Sequence, residues 1–170
     1  MNTVAKTFSL VAILLSLASA TAWAAIECTV GSACRGTDGP NTMYGSPSED
    51  RIYGKDGSDR IDAMGGVDEV YGGDGADAGL FGGNGGDLVR GGAGEDKAVG
   101  GSGADTMRGG EGRDELWGEG GADTLEGGPD NDILHGSRDG GARNTVRGGG
   151  GFDICYVDKY DRVKGCERRY

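Results

Sequence analysis

The stretch Gly109-Gly110-Glu111-Gly112-Arg113-Asp114-Glu115-Leu116-Trp117 holds a glycine turn, an aspartate and three residues of alternating polarity, and the chain repeats it with a period of nine. Working outward, the aspartate returns as Asp50, Asp59, Asp68 and Asp77, then after one inserted residue as Asp87, Asp96, Asp105, Asp114, Asp123 and Asp132. Asn41 opens the series, and Asn144 and Asp153 close it after a three-residue insertion. With the aspartate numbered sixth, strand alternation sends the eighth residue of each unit to one face and the seventh and ninth to the other. Ile52, Ile61, Val70, Val89, Met107, Leu116, Leu125, Leu134 and Val146 occupy that eighth place. One such strand cannot bury itself. If two nonapeptides make one coil of a solenoid, the strands stack in two parallel sheets around a thin core of eighth residues, and the sixth residues line both rows of turns. The expected fold class is therefore all-β, a two-sheet parallel solenoid.

Glycine makes up 38 of the 170 residues, but a collagen reading fails because glycine would have to recur at every third place with abundant proline. A formal charge of −11 with few aromatics also describes unfolded chains. The periodic apolar position argues against permanent disorder and leaves a conditional one open. Residues 1–24 differ from the rest: Lys6 precedes an apolar run over residues 8–17 and small residues ending at Ala24, the layout of a cleaved secretory signal peptide. That run is short for a membrane span, and no span is expected after cleavage. Losing Lys6 with this segment takes the formal charge to −12, so nucleic acid is not an expected partner. Four cysteines in an exported chain favour disulfides, and of the three possible pairings the spacing favours Cys28 with Cys34 and Cys155 with Cys166. The two ends would then be stapled.

Aspartates eighteen residues apart become vertical neighbours in this arrangement, Asp50 over Asp68 and Asp96 over Asp114 among them. Strands stack at about 4.8 Å, which sets carboxylates beside one another and calls for a cation between them. Calcium suits the donors, being a hard ion that takes oxygens from carboxylates and backbone carbonyls, whereas magnesium gives up its waters reluctantly. Transition metals are poorly served without imidazole or free thiolate. The candidate ligands are Asp50, Asp59, Asp68, Asp77, Asp87, Asp96, Asp105, Asp114, Asp123, Asp132 and Asp153, for several Ca2+ ions. One apolar side chain per strand is a thin core to set against the ordering of nine residues, so folding is expected to depend on the ion.

Units such as Gly72-Gly73-Asp74-Gly75-Ala76-Asp77 and Gly100-Gly101-Ser102-Gly103-Ala104-Asp105 resemble the glycine-rich nonapeptide of calcium-binding RTX (haemolysin-type) repeats over roughly residues 36–156. The resemblance implies a right-handed parallel β-roll with calcium held between successive turns by the sixth aspartates and turn carbonyls. Together these readings divide the chain into a signal peptide (1–24), an N-terminal cap (25–35), the β-roll (36–156) and a C-terminal cap (157–170). Some units depart from the pattern: Ser46, Pro47 and Ser48, Ala63 and Met64, Glu119, and Pro129 with Asp130 replace turn glycines. In the unit at 72–81, Gly79 stands where the apolar residue belongs, which predicts a bulge or small kink. Residues 137–142 predict a looser loop, and calcium affinity should be best between about Asp87 and Asp132.

No H-E-x-x-H zinc motif or serine nucleophile elbow accompanies the repeats, and the acids are explained by metal ligation, so the chain is read as no enzyme. The leading function is a secreted calcium-binding protein with a structural or cell-surface role. Ninth-place residues point outward, His135 included: one sheet would show Val99, Trp117, His135 and Tyr156 in a column, the other Arg90, Arg108, Glu126 and Arg147. The rival reading is an adhesive module that binds carbohydrate, a surface polymer or a second copy through the aromatic strip.

Overall fold

The computed structural model describes residues 25–29, 33–136 and 140–170. The expected signal peptide, and residues 137–139 of the expected loose loop, lie outside them. Among the described residues the strands run in chain order as β1 (Ala25–Glu27), β2 (Ala33–Arg35), β3 (Thr42–Tyr44), β4 (Arg51–Asp56), β5 (Arg60–Asp62), β6 (Glu69–Asp74), β7 (Gly79–Asn84), β8 (Leu88–Ala93) and β9 (Lys97–Ser102). They continue as β10 (Thr106–Glu111), β11 (Glu115–Gly120), β12 (Thr124–Gly128), β13 (Ile133–His135), β14 (Thr145–Gly149), β15 (Ile154–Tyr156), β16 (Arg162–Lys164) and β17 (Arg168–Arg169). Odd-numbered strands form one sheet and even-numbered strands the other, each in strict sequence order. All neighbours are parallel, with a register that sets Met107 beside Val89 and Leu125, and Leu116 beside Ala98 and Leu134. Two units thus make one coil, and the chain is a two-sheet β-roll.

A single column from each sheet fills the space between. The eighth-place residues have no exposed surface, and Met43, Leu80, Ala98 and Cys155 join those expected there. Leu80 resolves the irregular unit. The inserted residue is Ala78, whose N–H still donates to the Asp59 carbonyl, after which Gly79, Leu80 and Phe81 pair with Arg60, Ile61 and Asp62. The extra residue is taken up in the turn, outside the strand, so the sheet keeps its register. Both disulfides form as the spacing favoured, Cys28–Cys34 and Cys155–Cys166. Residues 25–35 and 157–170 contribute strands that extend both sheets by one coil at either end.

Candidate metal centre

Each sixth-place aspartate sits at the end of a turn, immediately before a strand or, for Asp77, one residue before it, and its side chain folds inward beneath the turn. All the candidate ligands are at most 5% exposed. Their Oδ1 atoms take up a bond that the residue letters do not announce. The Asp50 N–H donates to Asp68 Oδ1 (2.8 Å), the Asp68 N–H to Asp87 Oδ1 (2.8 Å), and the same pattern climbs through Asp105 and Asp123 on one edge. On the other edge it links Asp59, Asp77, Asp96, Asp114, Asp132 and Asp153 at 2.9 Å per rung. The one-residue insertion lengthens the step from 18 to 19 residues at Asp68 and Asp77 and breaks neither row.

The second carboxylate oxygen is left over. In Asp59, Asp68, Asp77, Asp87, Asp96, Asp105, Asp114, Asp123, Asp132 and Asp153, Oδ2 is buried with no hydrogen-bond partner, and in Asp50 it is Oδ1. Buried, unpartnered charged oxygens are costly in any fold, and here they recur at every aspartate rung. Burial pushes the carboxyls of Asp77, Asp105 and Asp114 up to about 7 and those of Asp68, Asp96 and Asp132 up to about 6, against the opposing pull of the N–H bond. Asp59, Asp87 and Asp153 are raised for the same reason.

Glycine makes the orphan oxygens reachable by other oxygens. A Cβ on Gly91 would stand 2.2 Å from Asp96 Oδ2 and 2.6 Å from the Gly109 carbonyl oxygen of the following coil, so its absence lets carboxylate and carbonyl converge. Gly94, at φ +134, packs so closely on the coil below that a Cβ would meet the Gly75 carbonyl at 2.3 Å. Among the described residues no three His, Cys, Asp or Glu side chains gather around one point. The carboxylates form two rows, and the oxygens beside them come from turns. An all-oxygen set of buried, unsatisfied carboxylates with carbonyls alongside fits a hard cation such as calcium.

The irregular turns resolve in two ways. Met64, Glu119 and Asp130 adopt the left-handed backbone of the glycines they replace, at φ of 74°, 66° and 79°, and Lys55 does so at 85°. The turn at Ser46 differs, its N–H donating to Asp50 Oδ2 (2.6 Å), which is why that rung's other oxygen is the orphan. Two ladder members escaped sequence reasoning. Asp161 Oδ1 accepts the Asn144 N–H (2.9 Å) and Glu167 Oε2 accepts the Asp153 N–H (2.8 Å), continuing both rows past the last repeat. Their separations of 17 and 14 residues fall off the period, so spacing gave no signal for them.

A solenoid whose turns carry stacked aspartates in place of a closed pocket defines a class of repeat proteins. Within it, this chain belongs to the RTX calcium-binding nonapeptide repeat family: the profile of four tandem copies matches residues 35–61, 44–78, 81–116, 99–134 and 109–142. It is a calcium-binding repeat scaffold. No curated protein matches the chain.

Proposed function

We propose that this chain is exported and folds on meeting external calcium, its ladder aspartates holding several ions between successive coils. The observation that carries this reading is the row of buried carboxylate oxygens without partners. A bound cation supplies the missing partner, turns repulsion between neighbouring rungs into attraction, and stabilises the folded state by mass action. The ladder aspartates bind and orient the ion, turn carbonyls complete its shell, and the glycines hold the coils close enough for both. Export rests on the layout of residues 1–24 and on the two disulfides. Circular dichroism during calcium titration tests it, with magnesium and chelator as controls. Strand content should rise with calcium and not with equal magnesium; full strand content in excess chelator would overturn the reading.

The second reading, a surface polymer held on the aromatic strip, draws on a real column. Trp117 and His135 stack at 3.5 Å between ring centroids, His135 and Tyr156 at 4.6 Å, and Tyr156 and Tyr170 at 5.2 Å. These rings spend their faces on one another, so a sugar would meet edges, or the open face of Tyr170, which is 62% exposed. Replacing Trp117 and Tyr156 by alanine should abolish attachment to glycan while calcium-induced folding persists, if the strip is the binding face.

A further inference from the structure

The outward face of the even-numbered sheet carries a charge opposite to that of the molecule. Register places Arg90 beside Arg108, then Glu126, Arg147 and Lys164 in one column. At its other end Arg35 and Arg90 flank the stacked pair Tyr53 and Tyr71, lying 5.0 and 5.5 Å over their rings. The adjacent column runs from Ala33 and Arg51 to Arg162, with Thr106, Thr124 and Thr145 in a row between. The only carboxylates on these two columns are Glu69 and Glu126, and each is matched by an arginine, Arg51 at 2.5 Å and Arg108 at 3.3 Å. Arg147, Arg162 and Lys164 are exposed and have no ion pair among the described residues. A chain of net charge −11 thus concentrates unmatched cations on one flat strip, with the exposed acids Asp56, Asp74, Glu95, Glu111 and Asp130 along one turn edge beside it.

We propose that this strip docks a linear anionic polysaccharide, with Arg90, Arg108, Arg147 and Lys164 meeting its carboxylate or sulfate groups and the threonine hydroxyls meeting its own hydroxyls. Three physical features select this occupant. Side chains repeat along the strip at about 4.8 Å, close to the rise per sugar of an extended hexose chain, over about 34 Å from β2 to β16. The strip is narrow, about 10 Å for a three-residue strand, with those exposed acids beside one edge. A duplex or a bilayer surface is wider than the strip and would overlap that acidic edge, whereas a single glycan strand fits within the strip. No exposed large apolar side chain lies on this sheet among the described residues, which also disfavours a membrane. Guanidinium suits the task, forking onto carboxylate or sulfate with two parallel hydrogen bonds.

The test uses the exported chain in excess calcium and labelled short dextran sulfate as probe, read by fluorescence anisotropy, with neutral dextran beside it. Phosphatidylglycerol vesicles and duplex DNA serve as competing partners, and sedimentation reports self-association. Saturable binding to dextran sulfate that weakens with salt is expected, with none to neutral dextran. The triple variant Arg90→Gln/Arg108→Gln/Arg147→Gln should weaken it about tenfold or more. Arg60→Gln/Lys97→Gln on the opposite sheet should leave it unchanged. Circular dichroism of each variant separates a lost contact from a lost fold. The proposal is overturned if the wild type ignores the sulfated glycan, if the triple variant binds like wild type, or if vesicles or DNA bind more tightly. It is also overturned if the strip instead mediates self-association that the triple variant abolishes.

Discussion

At residue scale, the two asparagines of the ladder show what the aspartates lack. Asn144 accepts the Asp123 N–H on Oδ1 (2.7 Å) and spends its amide on the Gly136 carbonyl, so its rung is satisfied without an ion. Asn41 does the same with Thr37 and Gly39. Asp96→Asn should therefore keep the Asp77 N–H bond, lower the number of calcium ions counted by titration calorimetry, and stabilise the calcium-free chain by about 1–3 kcal/mol, the usual cost of an unsatisfied buried polar group. Glu119 supplies the reverse case, holding a glycine backbone at φ 66° with a side chain attached. Glu119→Gly should raise stability in calcium by about 0.5–1 kcal/mol, read from chemical unfolding, because the left-handed strain outweighs glycine's entropy in the unfolded chain.

At the scale of strands, each contributes one inward side chain flanked by two outward ones, and this pattern was written in the period. The inward column could be read from Ile52 to Val146 with little else. Leu80 was harder, since the insertion at Ala78 displaces it by one place and only the sheet register shows where the extra residue goes. The ladder was legible as stacked carboxylates, but not the N–H bonds to Oδ1, because backbone donors have no letter. His135 was legible as outward; that it lies sandwiched between Trp117 and Tyr156, its side chain only 15% exposed, depends on ring orientation. Leu116→Ala should cost about 2–5 kcal/mol in excess calcium, since neighbours on both sheets fix the hole it leaves. His135→Ala should cost at least about 1 kcal/mol through the two ring contacts. Thermal unfolding of the paired variants gives the order.

For the whole molecule, pH acts in a direction unusual for carboxylates. The folded state holds its ladder protons up to about 6 or 7, whereas an unfolded aspartate releases them near 4. Between those values the folded state binds more protons, so stability of the calcium-free roll falls as pH rises from about 4 to 7. In chelator, strand content should increase on acidification from pH 7 to pH 5, and calcium binding at pH 6 should release protons measurable in weakly buffered solution. The ladder also has a sense. Every N–H in it seeks an acceptor later in the chain, the last two being Asp161 and Glu167. A strand delivered amino end first therefore always trails one coil with its donors waiting, and the carboxyl tail arrives as the latch for both edges. Within the carboxylate ladder, trimming from that tail strands donors while trimming from the front frees acceptor oxygens, so the two ends of the roll are not equivalent.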